Sequence, residues 1–220
     1  MSAGPPTHWA AALKREWMLY HLGDPRFAFM WDAPPEDEWV SLDCETTGLN
    51  TKTDDIISIG AVRIRGNRIM TTERLELLVR PEKKRLSADS VKVHRLREQD
   101  VAQGVSADEA VMELMYFIGS RPLVGYFLEF DVAMVNRVLF PILGMGLPQP
   151  KIEVSALYYD HKFHQLPHHA RDSRDIDLRF DSLMKDLGLP LWPAHDALND
   201  AIMAALAFLK LRQLKAAAKR

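Results

Sequence analysis

Residues 41–50 read SLDCETTGLN, and Glu38-Trp39-Val40 leads into them without a break. The apolar and small residues argue for a strand over residues 39–44, bounded by the threonines and Gly48. Successive side chains on a strand point to opposite faces, so Asp43 and Glu45 share one face and Cys44 takes the other. Two carboxylates that close repel, and one holds a proton unless a cation compensates. A donor set of oxygens with no accompanying Cys or His cluster suits Mg²⁺ or Mn²⁺ rather than Zn²⁺. A bare Asp-x-Glu is better read as the exposed end of a strand, so the pair gains meaning only from the rest of the chain.

That chain has 220 residues, 47% hydrophobic and 26% charged, values of a globular protein with a sizeable core, most simply one domain. No run of apolar residues is long enough to span a bilayer, and the N-terminus lacks the apolar stretch of a secretory signal. Cys44 is the single cysteine. No internal disulfide can form, and a reducing, cytoplasmic setting is expected. The net charge of −2 gives no global sign of a nucleic-acid binder, though it does not exclude a local basic patch.

Residues 8–22 carry Leu13, Trp17 and Tyr20 at helical spacing, closed by Gly23 and Pro25. "DAPPEDE" then reads as a linker, so residues 1–37 form an N-terminal helical extension and the main domain begins near Glu38. Two further strands are expected at 55–65 and 72–79 around an Arg65-Gly66-Asn67-Arg68 turn. Ser106-Ala107-Asp108-Glu109 is a capping box opening a helix to about Ile118. A short strand at 122–127 leads to a helix over 130–140, stopped by Pro141. Residues 152–159 fit a strand or a helix start. A helix over 180–189 ends at Gly188, and the last runs from His195 towards Lys215. Strands first, then strands interleaved with helices, give an α/β fold with a mixed sheet. The His-rich stretch 158–175, with His161, His164, His168 and His169, reads as a polar loop and not as a zinc site, since no cysteine is near.

Two more acids stand at informative places. Asp131 ends "LVGYFLEFD" and opens a helix, where an N-cap would also account for it. "HDALNDA" (195–201) places His195 five residues before Asp200, ahead of the apolar helical run AIMAALAFLKL, where Asp200 also fits a polar stripe.

"LDCETTGL", "LVGYFLEFD" and "HDALNDA", in that order, resemble the three motifs of the DnaQ-like, or DEDD, 3'→5' exonucleases, and the His-to-Asp spacing is that of the DEDDh branch. The resemblance spans about residues 38–212, leaving 213–220 as a short basic tail. It implies a ribonuclease H-like mixed β-sheet flanked by α-helices. It implies that Asp43, Glu45, Asp131 and Asp200 bind two divalent ions, Mg²⁺ or Mn²⁺, with His195 as general base. Thr46, Thr47 and Leu49 then line the pocket of the 3'-terminal nucleotide, and His94 stands near it, with Arg95 where the family usually has glycine. Tyr126-Phe127 replaces a frequent His-Asn. The implied activity is release of nucleoside monophosphates from the 3' end of single-stranded or frayed DNA, in repair or replication. Alternatives are an exoribonuclease acting on RNA or short oligonucleotides, and a nucleic-acid-binding scaffold with little turnover. Lys83, Lys84, Arg85, Arg95 and Arg97 are candidate phosphate contacts. Only "QLKAAAKR" follows the last helix core, so no polymerase-binding tail is expected. A second copy or another protein is the expected partner of the N-terminal extension.

Overall fold

The computed structural model describes residues 8–82, 96–167, 176–193 and 195–218. Its centre is a five-stranded sheet of order β3-β2-β1-β4-β5. The strands are β1 (Glu38–Thr46), β2 (Ile56–Arg65), β3 (Arg68–Leu78), β4 (Leu123–Gly125) and β5 (Lys151–Glu153). β1, β2 and β3 pair antiparallel, while β4 and β5 join in parallel. The helices are α1 (His8–Tyr20), α2 (Glu98–Val101), α3 (Ala107–Ile118), α4 (Leu128–Leu143), α5 (Val154–Gln165), α6 (Phe180–Asp186) and α7 (Ala197–Ala217).

Alternation along the strands sorts two cores, one on each face of the sheet. Val40, Leu42 and Cys44 of β1 pack with Leu114 of α3 and Val135 and Leu139 of α4. On the other face Val62 and Ile64 of β2 pack with Tyr158, Leu183, Met203 and Phe208 of α5, α6 and α7. Asp43 and Glu45, out of phase with Leu42 and Cys44, therefore face α7. Each fully buried Leu or Ile stabilises the fold by about 1.5–3 kcal/mol, so a one-residue slip of β1 would bring its acids into the apolar core.

Several expectations are refined by packing. The capping box at Ser106 forms, with Glu109 N donating to Ser106 Oγ and Glu109 Oε2 accepting from Ser106 N. α4 starts at Leu128 and passes through Pro141 to Leu143. Pro141 sits in the last turn, where its missing N–H forfeits one bond, and the buried Leu139 and Leu143 outweigh it. The ambiguous stretch 152–159 is both elements: β5 ends at Glu153, whose carboxylate accepts from Ser155 N (3.1 Å) and starts α5. The polar stretch from Tyr158 is helical as far as Gln165, contrary to the loop expected, because Tyr158 is buried and Lys162 pairs with Asp186 (3.1 Å). His161 and His164 are thus on a helix, with His164 Nδ1 at 2.7 Å from Asp160 O. His168 and His169 lie outside the described residues. Within the N-terminal 37 residues, Pro25–Trp31 forms a 3₁₀ helix. Its Phe27 and Met30 are buried in the same core as Val40 and Leu139. On α1, Leu13, Trp17 and Tyr20 remain exposed. No described helix is long and apolar enough to cross a membrane.

Candidate active site

β1 and β4 pair only at Val40–Leu123 and Ser41–Val124. Beyond that point the β4 edge of β1 is open, and the first turn of α4 fills it. Asp131 Oδ1 accepts from the backbone N–H of Cys44 (3.0 Å), a donor that the β4 ladder leaves free. Asp131 is thus not the N-cap of its helix, which starts three residues earlier. It is a buried carboxylate tied to the strand that carries Asp43 and Glu45. A Cβ at Gly125 would lie 2.9 Å from Leu42 O, so only glycine lets β4 hand the chain to α4 this close to β1.

On the opposite side β2 presents Gly60 directly across from Asp43. A Cβ there would overlap the Ala197–Leu198 peptide at the start of α7. The bare strand lets that helix descend onto the sheet, and Ala201, Ala204 and Ala205 continue the close approach as buried small residues. His195, just before the helix, has φ 69°, a left-handed conformation more open to His than to most residues. Its N–H donates to Asp200 Oδ2 (2.8 Å), and Asp196 caps the helix by accepting from Asn199 N (3.0 Å). The other Asp200 oxygen, Oδ1, is buried and has no hydrogen-bond partner among the described residues. Glu45, His195 and Asp200 each place one ligand atom so that all lie within 4.8 Å of one another.

These acids raise one another. Burial holds Asp43 well above the usual carboxylate range, and Asp131, Asp200 and Glu45 add to it. Burial pushes Glu45 to about 7, with Asp200 and Asp196 contributing. Burial raises Asp131 too, against the Cys44 N–H that favours its charge. Burial likewise raises Asp200, opposed by the His195 N–H and ring. An acid cluster that resists ionising and contains an orphaned carboxylate oxygen is a fit for a hard divalent cation, which compensates the charge and takes the free oxygen.

The sequence profile of the exonucleases of the RNase T type fits residues 40–208. The chain belongs to this exonuclease family. It is 28% identical over 177 residues to the PolC-type DNA polymerase III of Thermotoga maritima, covering 80% of this chain and 12% of that protein. It is 30% identical over 179 residues to a DNA polymerase III subunit epsilon-like protein of Rhodobacter capsulatus, covering 79% of this chain and 23% of the relative. The epsilon subunit of Aquifex aeolicus is 24% identical over 190 residues, covering 85% and 86% of the two chains. The exonuclease chain thus spans a small fraction of the length of its PolC-type relatives. Among solved structures, the zinc-bound E. coli ExoI–ssDNA complex superimposes with a TM-score of 0.67 at 14% identity, over 82% of this chain and 41% of that one. Exonuclease X in complex with 5' overhanging duplex DNA gives 0.59 at 21% identity, over 81% and 93%. The DnaQ-like, ribonuclease H-like architecture is shared with these exonucleases, and the family works with divalent metals.

Within the exonuclease fold the remaining expected site residues separate. Leu49 is 87% exposed at the tip of the β1–β2 loop. Thr46 Oγ1 donates to Gly48 O (2.7 Å). Thr47 is buried, with its hydroxyl accepting from Asp55 N (3.0 Å) and donating to Asp54 Oδ1 (3.4 Å). That hydroxyl shapes the loop from inside, and of Thr46, Thr47 and Leu49 it is Leu49 that is exposed. His94, with Lys83, Lys84, Arg85 and Arg95, lies outside the described residues, and Arg97 is engaged by Asp100 (3.0 Å). One residue escaped the sequence reading. Glu153 accepts from Phe127 N (3.0 Å) and Leu128 N (2.9 Å), holding the start of the helix that carries Asp131. Its position 22 residues downstream of Asp131 gives no motif to read; only the β4–β5 pairing brings it there.

Proposed function

We propose that this domain is a 3'→5' exonuclease that removes nucleoside 5'-monophosphates from single-stranded or frayed DNA. It holds two divalent ions, Mg²⁺ or Mn²⁺, through Asp43, Glu45, Asp131 and Asp200. The observation that carries it is the convergence of Glu45, Asp200 and His195 within 4.8 Å, beside Asp43 and Asp131, whose carboxyls burial raises. Bound there, the ions would supply Lewis-acid neutralisation of charge on the phosphoryl oxygens.

The chain's own residues supply the rest. Cys44 N–H fixes the Asp131 carboxylate, and His195 N–H fixes one oxygen of Asp200 while the other stays free. The exposed His195 ring takes the proton of the attacking water. Attack at phosphorus breaks the bond to the 3' oxygen, so the product carries the 5'-phosphate and the shortened strand a new 3'-hydroxyl. DNA as substrate is supported by two structural neighbours, ExoI with ssDNA and Exonuclease X with a 5' overhanging duplex. A place in replication or repair is supported by the polymerase III relatives.

A panel of DNA and RNA strands, labelled at the 5' or the 3' end and incubated with Mg²⁺ or Mn²⁺, tests it. Mononucleotide release at once from 3'-labelled DNA, abolished by Asp43→Ala in a folded protein, is the expected result. Binding without release, or activity retained by Asp43→Ala, overturns it, and release from RNA alone reassigns the substrate.

A further inference from the structure

Phe127 stands at the N-cap of α4 with φ 54° and ψ 33°, in the left-handed region. A bulky aromatic residue is rare there, whereas Gly or Asn fits without strain. The ring gives little to the core, since Phe127 is 63% exposed. Neighbours on both sides enforce the conformation. Before it, Tyr126 is anchored by its hydroxyl to Leu178 O (2.8 Å) and by stacking on Phe180 (4.5 Å between centroids). After it, the Glu153 carboxylate grips the Phe127 and Leu128 N–H groups. Tyr126 also meets the Phe127 ring edge-on at 4.6 Å, which limits its rotation. Strain maintained this way around an exposed side chain points to use of that side chain.

Its place suggests the use. Phe127 precedes Asp131 by about one helical turn, on the β4 side of the acids. On the β2 and β3 side lies a cleft of about 390 Å³ lined by Glu45, Ser58, Leu78, Leu96, His195 and Leu198. β1 lies between that cleft and β4 in the sheet, so a strand with its terminal nucleotide in the cleft and its backbone across the acids of β1 would run on towards β4 and Phe127.

We propose that the Phe127 ring is a stacking platform for a nucleobase upstream of the scissile bond. It rests on the exonuclease activity proposed above and adds the surface that grips the remaining strand. A π-face serves every base, so this grip is tolerant of sequence, and its loss weakens binding about tenfold.

The test pairs two measurements. The first is the Kd of a 5'-fluorescein oligothymidylate with Mg²⁺ by anisotropy, in an Asp200→Asn background that blocks turnover. The second is hydrolysis of the p-nitrophenyl ester of thymidine 5'-monophosphate, which has no upstream base, in the otherwise native protein. Phe127→Ala and Phe127→Leu are expected to raise Kd about tenfold, Phe127→Trp to restore it, and all three to cleave the ester at the native rate. An unchanged Kd in Phe127→Ala, full binding by Phe127→Leu, or a parallel loss of ester hydrolysis overturns the platform. If the native protein cleaves DNA while Kd ignores Phe127, the platform falls alone. If it cleaves nothing yet binds the strand through Phe127, the activity falls and the platform stands.

Discussion

Gly60→Ala tests how the site is assembled without touching a single acid. The added methyl would overlap the Ala197–Leu198 peptide at the start of α7. Ordinary carbon contacts are about 3.5–4 Å and the methyl would lie 2.2 Å from that peptide, so the helix start must retreat by more than about 1 Å. Both partners are backbone, so no side chain can swing aside. The retreat carries His195 and Asp200 away from Asp43 and Glu45, and a misplacement of that size costs about 100-fold in rate. Overpacking should cost about 1–3 kcal/mol of stability, a fall in Tm of about 2–12 °C for a domain of this length. Nuclease turnover and thermal unfolding by circular dichroism measure the two effects. Gly66→Ala is the control: it has open space around it but φ 56°, so it should cost about 1 kcal/mol with full activity. A Gly60→Ala protein with turnover within threefold of native would refute the assembly, as would an equal activity loss in Gly66→Ala.

Three other outcomes follow from the same geometry. Glu45 sits at about 7 in the folded chain against an ordinary 4.5. The folded state therefore binds the extra proton, and metal-free stability should fall as pH rises from about 4.5 to 7, with Glu45 alone contributing about 3 kcal/mol and the raised Asp43, Asp131 and Asp200 adding in the same direction. Excess Mg²⁺ should flatten that fall, and Tm scans at both pH limits with and without EDTA check the sign. Glu153→Ala removes the acceptor of the Phe127 and Leu128 N–H groups and should lower stability by about 1 kcal/mol, read by urea denaturation. Arg137 donates to Thr51 O (3.1 Å), Asp54 O and Asp55 Oδ1, clasping the loop that carries Leu49. Arg137→Ala should raise KM for single-stranded DNA several-fold, and Arg137→Lys should not rescue it, since one ammonium cannot fork across three oxygens.

The strand of Asp43 and Glu45 and their common face can be read directly from residues 39–46, because a period of two leaves no other choice once Leu42 and Cys44 are apolar. So can the β2–β3 turn and the capping box at Ser106 from their own residues, since both are local in chain and in chemistry. Resemblance to a motif series names Asp131, Asp200 and His195. How those acids meet depends on packing between distant segments. Asp131 works from the fourth helical position because β4 leaves the edge of β1 open, and Asp200 arrives because Gly60 lets α7 down onto the sheet. Pro141 failed to stop its helix and Tyr158 extended another because long-range burial outweighs local preference. Glu153 was invisible for the same physical reason: its role depends on a parallel strand pairing between segments far apart in sequence, and such a contact leaves no local pattern to read.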